Sequence, residues 1–234
     1  MTRALLAAPL LGLVILAQPV AANATNECKG LDVCITVPGP WVAVPAAPAG
    51  AASTVQYQVT CPKRSVAGGL DAVLGDPMLE VRWLGLLGSP INPGISAKRS
   101  VVFQGLSPRA RPTAFRPVVG CIPTSGGGGR STTAYTAAPK PKPVQRRFHT
   151  VSVRGSQAVG VITACAAGER IAGVTYAVGF RTHLQPGPSV LAGVDVKLRQ
   201  QAGRSFATVR RTFAVPQAMR VLLQVQLLCA RGPA

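Results

Sequence analysis

CPKRSVAGGLDAVLG, residues 61–75, decides how this chain is read, because CAAGERIAGVTYAVG at 165–179 repeats its plan. Each stretch starts at Cys and passes through a short polar turn. A β-branched residue with Ala-Gly follows (Val66-Ala67-Gly68, Ile171-Ala172-Gly173), then an apolar run closed by Gly75 or Gly179. Fourteen positions separate Cys from the closing Gly in both. A β-type run precedes each, at 54–60 and 159–164. Another Cys follows each, with Cys121 sixty positions after Cys61 and Cys229 sixty-four after Cys165. Self-similarity in fixed order is the mark of a duplicated unit.

Working outward, strand periodicity dominates. Val55, Tyr57, Val59 and Cys61 share one parity, with Gln56, Gln58 and Thr60 on the other, the pattern of a half-buried strand. Residues 66–74 return as a second strand, with Gly68-Gly69 marking a bulge or a close backbone approach. In 79–84, Glu80 and Arg82 alternate outward with Val81 and Trp83 inward. Phe115, Val119 and Cys121 share a parity, so Cys61 and Cys121 both point inward and can bridge two packed sheets. In the second copy Val159, Val161, Thr163 and Cys165 share a face, and Val194, Val196 and Leu198 oppose Asp195, Lys197 and Arg199. In SFATVRRTFAV, residues 205–215, one of Arg210 and Arg211 breaks the alternation, and a bulge is expected to place both guanidinium groups in solvent. The final segment, MRVLLQVQLLCA, fits a helix or a strand. Its counterpart FRPVVGCIP carries Pro117 and Gly120, which disfavour a helix interior, so it is read as a strand.

The expected fold is therefore all-β, two tandem small disulfide-bridged β-sandwiches arising from duplication. Immunoglobulin-like topology is compatible with this, although the Cys–Trp–Cys spacing is only loosely present. Residues 1–24 read as a signal peptide, with Arg3, an uncharged run and the small-x-small site Ala22-Asn23-Ala24. A membrane span needs about twenty apolar residues, and Pro9 and Pro19 break this run, so no transmembrane segment is expected in the mature chain. Residues 25–53 form an N-terminal extension with a short strand at its end, in which Trp41, Val42 and Val44 are expected at a sheet edge. The repeats occupy 54–123 and 148–234. Residues 124–147, rich in Gly, Pro and Lys, read as a flexible basic linker.

Six Cys in an exported chain point to disulfides. The repeat pairs Cys61 with Cys121 and Cys165 with Cys229, leaving Cys28 to close a small loop with Cys34. No C-x2-C motif exists and His149 and His183 are isolated, so no metal or other cofactor is expected.

Charge is lopsided: Lys and Arg number 25 against seven acidic residues. Residues 25–123 hold nine basic and five acidic residues, a net of +4; residues 148–234 hold ten and two, a net of +8. That field favours anionic partners, and Arg154, Arg199, Arg204, Arg210 and Arg211 are the candidate polyanion-binding residues. Aromatic residues are only 5%, too few for the stacking platforms of single-strand binders, and no specific nucleic-acid recognition is expected. No G-x-S-x-G, H-E-x-x-H or phosphate-loop motif appears, and no catalytic residue is assigned. The expectation is a secreted, periplasmic or cell-surface non-enzymatic protein that contacts anionic envelope polymers through its basic C-terminal domain. The alternatives are a protein-binding module or inhibitor using loop 85–100, and a glycan hydrolase using Asp71, Asp76 or Glu80.

Overall fold

The computed structural model describes residues 35–84, 99–123, 144–155 and 158–232. The signal-peptide segment, the Cys28–Cys34 loop, residues 85–98 and residues 124–143 of the linker fall outside the described residues. The first unit contains β1 (Ile35–Pro38), β2 (Trp41–Val44), β3 (Ser53–Thr60), β4 (Ser65–Leu74), β5 (Glu80–Leu84), β6 (Ser100–Ser107) and β7 (Thr113–Pro123). The second contains β8 (Val144–Val153), β9 (Val159–Ala164), β10 (Glu169–Arg181), a single helical turn α1 (Pro188–Leu191), β11 (Val194–Gln201), β12 (Arg204–Arg211) and β13 (Arg220–Arg231). The chain is all-β, as its periodicity requires. Residues 144–147, counted with the linker in the sequence reading, are the first residues of β8, because their backbone pairs with β13.

A seven-stranded sheet runs β4-β7-β2-β10-β13-β8, with β1 beyond β2 on the same edge of β7. Two three-stranded sheets, β3-β6-β5 and β11-β12-β9, cover it. The two units share features strand by strand. The β4–β7 pairing shifts register between Ala67 and Gly69, and the β10–β13 pairing shifts between Ile171 and Gly173. β1 and β2 lie on β7 as β8 lies on β13. Cys61 bonds Cys121 and Cys165 bonds Cys229, each with Cα atoms 5.7 Å apart. Each bridge ties a small sheet to the large one. With loops of this length each contributes about 4 kcal/mol in the chain-entropy picture.

The expectation of two separate sandwiches, with Trp41 to Val44 at an edge, is corrected here. β2 is an interior strand, paired with β7 through Val42–Phe115 and with β10 through Val42–Gly179 and Trp41–Phe180. Successive side chains on a strand point to opposite faces. Val42 and Val44 enter the core beneath β3-β6-β5, whereas Trp41 enters the core beneath β11-β12-β9. The two small sheets therefore lie on opposite faces of the large one. Pairing drives this outcome, since an edge strand with Val42 and Val44 fully buried would leave backbone groups without partners. Gly39 lets the chain enter β2. Its N–H donates to the Pro117 carbonyl at 2.7 Å, and a Cβ there would press on the Pro117 ring.

A second contact joins the units. β3 is the outer strand of its small sheet, and the Gln224 carboxamide of β13 pairs with its backbone. The Gln58 N–H donates to Gln224 Oε1 at 2.6 Å, and Gln224 Nε2 donates to the Gln58 carbonyl at 3.1 Å and to Thr150 Oγ1 at 3.0 Å. A side-chain amide thus closes a strand edge that would otherwise be open to another chain. Nearby, burial pushes the Tyr57 phenol up to about 12, opposed by the Arg181 charge. Trp83 departs from its expected inward position and is half exposed at the end of β5.

Because β2 serves both cores, the two units are expected to unfold together. Denaturant curves followed by fluorescence and by far-UV circular dichroism should coincide in one transition. Trp41→Ala should lower its free energy by about 3–5 kcal/mol. Gln224→Ala, which strands the Gln58 N–H and carbonyl, should cost about 1–3 kcal/mol in the same measurement.

Candidate functional site: a basic face on the second small sheet

The inward positions of β11 and β12 are set by Val194, Val196, Leu198, Ala207 and Val209, which pack in the second core. Alternation then fixes what lies outside. Register places Asp195 opposite Arg210, Lys197 opposite Thr208, Arg199 opposite Phe206, and Gln201 opposite Arg204. β9 adds Gly160 beside Thr208 and Ile162 beside Phe206. The outer face thus carries Lys197, Arg199, Arg204 and Arg210, and among the described residues Asp195 is its one acid. Phe206 and Ile162 form an apolar centre, and the Arg199 guanidinium carbon sits 5.4 Å from the Phe206 ring centroid, within cation–π range. With no side chain at Gly160, the surface dips between Ile162 and Thr208, in a shallow depression of about 520 Å³ flanked by Lys197, Arg199 and Phe206.

Of the five arginines singled out from sequence, Arg199, Arg204 and Arg210 share this face. Arg154 is exposed just after β8, at the end of the unit where Arg210 also lies. Arg211 is different. The β11–β12 register runs unbroken, so no bulge forms and Arg211 keeps its inward parity. It is 5% exposed, and its guanidinium donates to the Val215 and Pro216 carbonyls. Lys197, Phe206 and Ile162 were not singled out from sequence. The Val194–Val196–Leu198 alternation already pointed Lys197 outward, whereas half-buried Phe206 and exposed Ile162 read as core residues until strand register is known.

The acidic residues considered for hydrolysis lie on three different elements. Asp71 lies on β4 and its carboxylate accepts the Ala72 N–H at 2.7 Å. Glu80 lies on the outer side of β5, in another sheet, and pairs with Arg82. Asp76 is buried in the turn between them, where Arg109 and Arg111 reach it at 3.2 and 3.4 Å. The Met78 N–H, followed by Arg109, holds the Asp76 carboxyl below the usual carboxylate range, so this group stays ionised rather than serving as a proton donor. Glu169 also approaches Cys165 and Cys229, but both sulfurs are in the disulfide and the carboxylate pairs with Arg147 at 2.9 Å. His149 sits on β8 opposite Val225, and His183 is exposed after β10. The loop proposed for protein binding lies largely outside the described residues.

No protein-family model and no curated protein matches this chain.

The Asp76 pairing makes a pH prediction. Because its pKa is lowered on folding, the stabilisation is present above the unfolded carboxylate value of about 3.9 and is lost as pH falls through the folded value. Asp76→Asn should weaken the fold at neutral pH and flatten the acid limb of a stability–pH curve. An unchanged acid limb in the variant would show that the Arg109–Asp76–Arg111 cluster contributes nothing.

Proposed function

We propose that this chain is an exported, non-enzymatic binding protein of the cell envelope or extracellular space that holds an anionic polymer on the outer face of β11-β12-β9. The observation that carries this reading is the gathering of Lys197, Arg199, Arg204 and Arg210 on one open face around Phe206 and Ile162, with Asp195 as the lone acid among the described residues. A polymer bearing phosphate, sulfate or carboxylate groups gains from both parts of such a face. Guanidinium forks bind the oxyanions in bidentate fashion, and the apolar centre accepts the non-polar faces of rings or chain segments. Export is supported by residues 1–24 read as a signal peptide and by two disulfides, the chemistry of an oxidising compartment. No helix of the described residues is long and apolar enough to cross a membrane.

The architecture supports descent from a duplicated immunoglobulin-like unit. In each half a three-strand order, β3-β6-β5 or β9-β12-β11, matches strands B, E and D of that topology. The pairs β4–β7 and β10–β13 match C and F, and the disulfide joins the B and F positions. The departure lies at strand G, whose place beside F is taken by the strand that opens each unit, β1-β2 or β8.

The test is retention of the full disulfide-bonded chain on envelope fractions across a salt series. Retention should fall steeply with salt, and Arg199→Ala/Arg204→Ala/Arg210→Ala should reduce the log–log slope by about two. Salt-insensitive capture by one protein would instead favour the binding-module reading. Equal retention of the wild type and the triple variant would remove this face from the site.

A further inference from the structure

Arg211 is unusual for a buried arginine. Among the described residues no carboxylate forms an ion pair with it. One guanidinium nitrogen, Nη2, reaches the Val215 carbonyl at 3.4 Å and also donates to the Pro216 carbonyl, while Nε–H is buried with no acceptor. Burying a cation is costly unless an anion answers it, and a donor left without a partner adds to that cost. The residue does not stand in a sealed core. It forms part of the wall of a depression of about 460 Å³, within the size range of ligand sites. Arg210 lines the same depression and supplies a second, exposed guanidinium. The opposite character comes from Phe213, Val215 and Pro216, also in the wall. Phe213 is fully exposed, touching too little of the protein to be explained by packing.

The place is built from the end of the second unit. Gly155, after β8, lines the depression with the β12–β13 connection. That connection is held to the β10–β11 connection, the Thr212 N–H donating to the Gly193 carbonyl at 2.9 Å and Thr212 Oγ1 donating to the same oxygen at 3.1 Å. These bonds fix the loop that carries Phe213 and the two carbonyls that orient Arg211.

We propose that this depression is a phosphoryl-binding site, in which the Arg210 and Arg211 guanidinium groups that line it hold the oxyanion and Phe213 covers an apolar or ring-bearing substituent. This deepens the polyanion reading and rests on it, since it names the anionic group and one place on the second unit that receives it. The space exceeds what a bare phosphate fills, and the remaining wall is apolar. The group therefore arrives on an organic carrier, either a soluble phosphate ester or a phospholipid headgroup.

The test follows the Arg211 Nε–H resonance of the full disulfide-bonded chain by NMR, identified by its loss in Arg211→Lys. Phenyl phosphate should shift this resonance saturably, and inorganic phosphate should do so with several-fold weaker affinity. Phe213→Ala, at a fully exposed position that leaves folding untouched, should weaken phenyl phosphate about fivefold and leave inorganic phosphate unchanged. Binding to phosphatidylglycerol vesicles that is lost in Phe213→Ala identifies the lipid headgroup as the source, and vesicle binding indifferent to Phe213 identifies a soluble ester. A resonance unmoved by phenyl phosphate, or identical titrations for wild type and Phe213→Ala, overturns the proposal. The variant Arg199→Ala/Arg204→Ala separates the two readings. If it loses polymer retention yet titrates like the wild type with phenyl phosphate, the sites are distinct. A silent Arg211 with polymer retention intact defeats this inference alone.

Discussion

Four residues, Trp41 to Val44, hold the molecule together. A strand has two edges and two faces, and β2 uses all four: β7 and β10 at its edges, and a separate core on each face. Side chains alternate along a strand, so a strand that feeds two cores must have those cores on opposite sides. That single constraint places the small sheets back to back across the large one. It also explains why the Trp41 side chain belongs to the core of a unit whose strands begin more than a hundred residues later.

The arrangement decides which surfaces are left open. In the first unit the outer strand β3 is closed at Gln58 by the Gln224 carboxamide. In the second unit the corresponding outer strand is β9, and the matching position, three before Cys165, is Ile162, which is 60% exposed. Two units with similar strand order therefore differ in the role of the small sheet. One is braced against its neighbour, while the other presents its outer face to solvent together with most of the basic side chains of β11 and β12. Charge reinforces the difference. Asp76, Glu80 and Glu169 are each neutralised by arginine, so they do little to offset the outer face of the second unit.

The two arginines at the end of β12 show how neighbours in sequence acquire different chemistry. Arg210 points to the open face and keeps its hydration. Arg211 points inward and exchanges water for two backbone carbonyls, which orient the guanidinium but do not balance its charge. That end of the unit therefore carries one exposed guanidinium and one buried one, beside an aromatic ring with little to rest on.

Sequence by itself determined most of the strands, the two long disulfides and the outward positions of Lys197 and Arg199, and it marked Gly68-Gly69, where the β4–β7 register shifts. Each of these follows from short-range periodicity or from matching the two similar stretches, and both survive without knowledge of distant contacts. It also carried the strongly basic net charge of the chain. Tertiary structure decided the rest. That β2 is interior rather than at an edge, that the units share one sheet, that Gln224 closes β3, and that Arg211 is buried all depend on which strands become neighbours. Pairing partners are chosen by long-range burial and by the need to satisfy backbone groups. A Pro-flanked run such as 38–45 looks the same to local rules whether its edges end in water or in β7 and β10.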